Sequence, residues 1–404
     1  MSLPRLVVLA STFPARPDDG TPAFVLDLAQ AEAQGFETTV IVPAVRGALS
    51  RERIGSVEVR RFRYFPSRWE DLADGAILEN LRARPSRWLQ VAPFLLAEWL
   101  AVRRAVRELR PDVLHVHWII PQGIVALGVM GRIPSVVTTL GGDLYGLRNP
   151  VALALKRAVV SRAGALTTMN EDMRRQLVAL GAPESRATVV PMGADLRGIR
   201  TAAEGVTRET GRLLFVGRLV EKKGLTHLVE ALRLLDDPSL RLTVVGDGPL
   251  RRDLEDQATG LQVEFLGALG RTTLAQQYAR ATVMIVPSTR AASGDQDGLP
   301  VALLEAMGLG CPVVASDLPG INEVVLDGET GRLTPPGDPA ALAVAIREVV
   351  GSPERAARLG AAARALSESL SVEAVGARYR DLLMSILTPQ SDRPGRRGGR
   401  RPRP

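Results

Sequence analysis

Three stretches carry most of the residue types able to do chemistry. Gly217–Gly224 reads GRLVEKKG and puts Arg218 and Lys223 between an apolar strand pattern, Leu213–Val216, and a helical pattern. A helix N-terminus favours anions, so two cations beside one suit a diphosphate; a solvated charged loop is the alternative. Gly246–Pro249, GDGP, also joins a strand pattern to a helical one, and glycine there allows either a plain turn or close approach of backbone to a ligand. Gly294–Gly310 reads GDQDGLPVALLEAMGLG, a Gly/Asp loop followed by a helical run with Pro300 at its start, where a missing N–H costs little. That run is apolar nearly all round and reads as buried, yet it carries Glu305 with no Lys or Arg within a turn. A buried carboxylate needs hydrogen-bond donors, and a bound ligand is one source of them.

The first half adds DVLHVHWIIP (Asp112–Pro121) and TTLGGDLYG (Thr138–Gly146). On a strand His115 and His117 share a face. No neighbouring Cys, His, Asp or Glu completes a ligand set, so no metal is expected. His115 reads as a core or hydrogen-bonded histidine; His117, nearer the strand's carboxyl end, is better placed for a cleft. Asp143 either binds sugar hydroxyls or caps a turn. No G-x-G-x-x-G follows a strand pattern, which argues against NAD or FAD.

These loops need strands to hold them. Strand patterns recur at Arg5–Ala10, Thr38–Val42, Val57–Phe62, Val113–Val116, Ser135–Thr139, Ala165–Thr168 and Thr188–Val190, with helical patterns between most of them. The rhythm breaks over residues 191–211 and restarts at Leu213. The expected fold class is α/β, with two doubly wound Rossmann-like domains facing across a cleft, because strands alternating with helices build parallel sheets. The expected layout is residues 1–190, a linker at 191–211, a second domain at 212–370, a C-terminal helix at 371–388 that crosses back to the first domain, and a disordered basic tail at 389–404.

That tail holds six of the arginines against one aspartate, five of the seven net positive charges, so the body is nearly balanced and is not expected to bind nucleic acid specifically. A single cysteine, Cys311, excludes an intramolecular disulfide and fits a reducing, cytoplasmic setting. No apolar run reaches the length of a membrane span. All four tryptophans (Trp69, Trp88, Trp99, Trp118) fall in the first half, and residues 51–110 hold thirteen Arg against eight Asp/Glu. Such a segment suits either a peripheral contact with the inner face of an anionic membrane or an ordinary amphipathic cover.

VGRLVEKKG, VVGDGP, EFLG and DGLPVALLEAMGLGCPVVAS, with HVHW, TLGGD and VVPMGAD in the first half, resemble the retaining GT-B glycosyltransferases of family 4, nearest the bacterial polysaccharide-biosynthesis type. The resemblance covers nearly the whole chain except the tail. It implies sugar transfer from a nucleotide-sugar donor (UDP- or GDP-linked) to an acceptor hydroxyl on a glycan, a lipid-linked glycan or a small molecule, with retention and no obligatory cofactor. It implies that Arg218 and Lys223 hold the diphosphate, Glu305 the ribose, and Asp297 and His117 the donor sugar. Gly298, Leu299, Pro300 and Val301 would form the loop against the donor, with Gly217, Gly246 and Gly20 as further donor contacts and Asp143 as an acceptor or sugar contact. Asp297 stands where the family usually has Glu, Pro300 lacks an N–H, and Gly141 replaces a histidine. A sugar-nucleotide epimerase and a non-catalytic donor-binding subunit of the same fold are the alternatives.

Overall fold

The computed structural model describes residues 2–16, 21–75 and 77–387. Gly20 and the basic tail lie outside the described residues. Two sheets organise the chain. The first contains β1 (Arg5–Leu9), β2 (Glu37–Pro43), β3 (Arg51–Ile54), β4 (Val57–Phe62), β5 (Val113–His117), β6 (Ser135–Thr138), β7 (Ala165–Thr168) and β8 (Ala187–Val189), in the order β3-β4-β2-β1-β5-β6-β7-β8. The second contains β9 (Arg212–Val216), β10 (Arg241–Val245), β11 (Val263–Gly267), β12 (Val283–Val286), β13 (Val313–Ser316) and β14 (Arg332–Thr334), in the order β11-β10-β9-β12-β13-β14.

All pairings are parallel except β3 with β4. Helices cover both faces of a parallel sheet, which is why β1 (RLVVL), β5 (VLHVH) and β12 (VMIV) are buried along almost their whole length. The antiparallel edge strand β3, RERI, has no apolar alternation to announce it, and its charged residues suit an exposed edge.

Residues 191–211 are not a featureless linker. Leu196–Ala202 is a short helix, its N-terminus capped by Asp195 accepting from Gly198 N at 2.8 Å. Leu196 and Ile199 enter the second body's core, and one such pair was too little periodicity to read. The last helix, Val372–Leu387, crosses back and packs against Phe24–Glu32, placing Val375, Tyr379 and Leu383 in the first core. Tyr379 hydroxyl donates to Val190 O at 2.9 Å and its ring stacks on His115 at 5.1 Å.

Each sheet reverses its winding direction once, between β1 and β5 and between β9 and β12. Ligands of doubly wound sheets bind outside the strand carboxyl ends at such points. His117 ends β5, while Gly217 and Arg218 follow β9. Gly246 presses the next loop against that position: its φ is +130°, and a Cβ there would sit 2.0 Å from Gly217 O. Gly246→Ala should therefore cost about 2–4 kcal/mol. Gly128→Ala, in a helix and in open space, should change stability by less than about 1 kcal/mol. Urea unfolding of both variants checks the contrast.

Candidate active site

At the reversal of the second sheet, the loop after β9 meets the loop after β12. Lys223 Nζ donates to Asp297 Oδ2 at 2.9 Å, and Ser288 Oγ donates to the same oxygen at 2.8 Å. Lys222 Nζ lies 3.1 Å from Asp295 Oδ2 and 3.9 Å from Asp297 Oδ1. Burial pushes the Asp297 carboxyl up, but Lys223, Lys222 and Ser288 together outweigh it and hold it below the usual carboxylate range. Asp297 is thus a fixed anion clamping two lysines. Glu221 adds a further clasp, accepting from Ala292 N at 2.8 Å. Arg218 is half-buried and reaches toward the first body, its Nη1 3.7 Å from where a Cβ on Gly75 would lie.

The helix Val301–Gly308 starts directly after Pro300, which is its N-cap, with no side-chain cap. Its first amides, on Val301 and Ala302, precede any intrahelical carbonyl partner and so give this end donor character. Glu305 lies one turn on, and it does have a protein donor: Tyr278 hydroxyl, 2.8 Å from Oε2. A ligand is therefore not the one source of donors for this carboxylate; Tyr278 is distant in sequence and sits on the neighbouring helix Arg271–Arg280. Burial pushes the Glu305 carboxyl up to about 7, against the lowering effects of the Tyr278 bond and Arg271. Arg271 is shared: it pairs with Asp27 of the first body and, at 3.0 Å, with Asp195.

On the first body, Asp143 is occupied by the protein itself. Oδ2 accepts from Ile119 N at 2.7 Å, while Oδ1 accepts from Thr139 Oγ1, Leu140 N and Gly141 N at 2.9, 3.1 and 3.2 Å. Four donors leave a buried carboxylate little capacity for a sugar. Its part is the turn-holding one, and the expected acceptor or sugar contact is corrected accordingly. The loop it holds touches the other body: a Cβ on Gly141 would lie 3.3 Å from Gln296 O and 3.5 Å from Gly298 N.

His117 is only 1% exposed, and its Nδ1 is buried without a hydrogen-bond partner. Burial, and then the neighbouring His115, keeps it neutral well below its ordinary pKa. His115 is fully committed to the fold, with Nδ1 2.6 Å from Glu32 Oε1 and Nε2 2.7 Å from Thr138 Oγ1.

The loop Gly298–Val301 is also the seam between the bodies. Asn170 Nδ2 donates to Gly298 O at 2.9 Å and to Pro319 O at 3.3 Å, and Leu299 packs against both cores. Lys222, Ser288, Tyr278, Arg271 and Asn170 were all missed from sequence. Lys222 and Ser288 had a usable signal, since both stand in loops at strand carboxyl ends. Tyr278, Arg271 and Asn170 had none, because their partners lie far along the chain. Among the described residues, no group of three or more His, Cys, Asp or Glu is arranged to hold a metal.

Residues 19–197 match the family model described as Glycosyltransferase Family 4, and residues 210–352 match the one described as Glycosyl transferases group 1. Glycogen synthase of Mycobacterium tuberculosis is 32% identical over 273 residues, 64% of each chain, so the match spans less than two-thirds of that relative. The amylovoran biosynthesis glycosyltransferase AmsK of Erwinia amylovora is 34% identical over 176 residues, 42% of this chain and 43% of its own. Among solved structures, sucrose-phosphate synthase from Thermosynechococcus elongatus superposes with a TM-score of 0.76 at 20% identity, covering 95% of this chain and 99% of that one. HepE of Anabaena in complex with UDP-glucose superposes with a TM-score of 0.66 at 19% identity, covering 94% and 99%. The fold is GT-B.

Glu305 makes the site sensitive to pH. A carboxyl raised from 4.5 to about 7 keeps its proton in the folded chain where the unfolded chain has lost it, so folding stability falls as pH rises across that window and levels off above it. Glu305→Gln should therefore gain about 2–3 kcal/mol on the wild type between pH 4 and pH 8. Parallel denaturation curves at the two pH values provide the check; an unchanged difference would contradict the assignment.

Proposed function

From a chain that carries a Glycosyltransferase Family 4 domain ahead of a glycosyl transferases group 1 domain on a GT-B fold, we propose a retaining glycosyltransferase that moves a sugar from a nucleoside diphosphate to an acceptor hydroxyl. The observation that carries this reading is the gathering of cations at the reversal of the second sheet. Lys223 and Lys222 are clamped there on Asp297, beside Arg218 and the loop leading into the Val301–Gly308 helix.

In this reading Arg218 and Lys223 receive the diphosphate and stabilise the charge that grows on it as the bond to the sugar breaks. The amides of Val301 and Ala302 add donors, whereas Pro300 has none to give. Gly298 and Leu299 hold this loop on the seam, and Gly217 and Gly246 set the course of the loop bearing Arg218. Glu305, oriented by Tyr278, accepts the ribose hydroxyls. Asp297 positions the lysines, and His117 offers its unpartnered Nδ1 to the sugar. The donor in this reading is a UDP- or GDP-linked sugar, as in HepE held with UDP-glucose and in a GDP-mannose-dependent relative of Mycolicibacterium smegmatis.

A second reading concerns the acceptor side. Trp69, Trp88, Leu89, Leu96 and Leu100 are each more than half exposed, and Arg103 lies over the Trp99 ring at 4.5 Å. Among the described residues no helix is long and apolar enough to cross a membrane. An apolar face bordered by arginines fits an anionic bilayer surface, which would bring the chain to a lipid-linked acceptor at the inner face of a membrane.

Arg218→Ala combined with Lys223→Ala should lower turnover of UDP- or GDP-sugars by about a thousandfold or more while the chain stays folded. Near-normal turnover in the folded double variant would sink the assignment. For the membrane contact, co-sedimentation with phosphatidylserine-containing vesicles at low salt should fall at least about tenfold in Leu89→Ser/Leu96→Ser/Leu100→Ser, and should be weak on neutral vesicles. No binding by the wild type would remove this reading.

A further inference from the structure

A cavity of about 240 Å³ opens on the first body, remote in sequence from the lysine cluster. It is lined by the loop of residues 44–50 that leaves β2, which includes Arg46 and Ser50, and by Arg61, Arg63, Ser67 and Glu70. Its lining holds three arginines and one carboxylate, with Glu52 paired to Arg61 outside the lining.

Arg61 is the unusual member. Its side chain is only 1% exposed. Nη2 donates to Pro14 O at 2.8 Å and to Glu52 Oε1 at 3.0 Å, and Nε reaches the same Glu52 oxygen at 3.3 Å. Nη1 is buried and has no hydrogen-bond partner. A guanidinium carries five N–H groups in a planar fork, so the two on Nη1 are unspent. Leaving a buried charged donor unmet is costly, and an anionic oxygen would remove that cost.

The rest of the cavity is held ready for such a group. Glu70 accepts from Tyr64 N at 2.8 Å and pairs with Arg63 at 2.9 Å, which ties Arg63 to one edge. Arg46 is exposed on the loop, and Ser50 and Ser67 supply hydroxyl donors. Glu52, the counter-charge of Arg61, is spent on Nε and Nη2, so it fixes the fork without covering Nη1.

The location matters as much as the chemistry. Pro14 follows β1, residues 44–50 follow β2 and Arg63 follows β4, and these three strands are neighbours running in parallel. The cavity therefore lies at the carboxyl ends of the first sheet, the same side on which β5 ends at His117. We infer that Arg61, Arg63 and Arg46 form an anion-binding subsite that takes a phosphate monoester or carboxylate. Assigning that anion to the acceptor of the sugar rests on the proposed function; the subsite itself does not.

Isothermal titration at constant ionic strength, with chloride as the balancing ion, tests it without donor or turnover. Inorganic phosphate and glucuronate are the probes, and glucose is the neutral control. Saturable binding of at least one anion, weakened tenfold or more in both Arg61→Met and Arg46→Ala/Arg63→Ala, is the expected result. The stronger of the two anions separates a phosphate ester from a uronate. The double variant alters only exposed side chains and carries the test if Arg61→Met does not fold. No saturable binding, or equal affinity in the wild type and the double variant, would overturn the subsite. UDP titrated into the same samples separates the two readings: UDP binding without anion binding removes only the subsite, and anion binding without UDP binding removes only the transferase reading.

Discussion

Two lysines next to one another in sequence repel, and holding both at the mouth of a cleft requires an anion that stays ionised there. Asp297 meets that requirement. Burial alone would push its proton back on, but Lys223, Lys222 and the Ser288 hydroxyl reverse the balance. The clamp also joins loops that arrive from adjacent strands, β9 and β12, so it fixes the geometry of the reversal point along with the charge. A carboxylate one methylene shorter than glutamate suits this work, because short reach to Lys223 keeps the cation where the loop places it.

The same loop performs a second duty. Gly298, Leu299 and Pro300 lie where the two bodies meet, with Asn170 bonded to Gly298 O and Leu299 packed into both cores. Residues that set the start of the Val301–Gly308 helix are therefore also those that set the relative position of the two sheets. The Arg271 pairs with Asp27 and Asp195 and the returning C-terminal helix tie the bodies at other points.

Several charged or titratable residues that look chemical in sequence are spent on structure. Asp143 meets four protein donors. His115 joins Glu32 to Thr138 beneath the Tyr379 ring, and burial raises the Glu32 carboxyl and lowers His115. The four bonds to Asp143 and the two made by the His115 ring are what make burial of these two side chains tolerable. The contrast with His117 Nδ1 and Arg61 Nη1 is therefore informative: both are buried donors or acceptors with no partner among the described residues.

Much of the architecture was legible from the residues alone, because it rests on local pattern. Short apolar runs alternating with amphipathic ones dictate parallel strands and covering helices, and Gly, Pro and Asp clusters mark the loops at strand ends. The loops bearing Arg218, Lys223 and Asp297, and the helix bearing Glu305, could be located in this way. Charged β3 and the short helix Leu196–Ala202 escaped, since neither carries enough periodicity to stand out from a loop. What only the tertiary structure decided is pairing: Tyr278 with Glu305, Asp297 with both lysines, the Ile119 amide on Asp143, and an arginine buried with one nitrogen unspent. Hydrogen bonds and charge pairs form between atoms that folding brings together from distant positions. A linear chain states which groups are present and on which loops, but not which of them the fold has already satisfied.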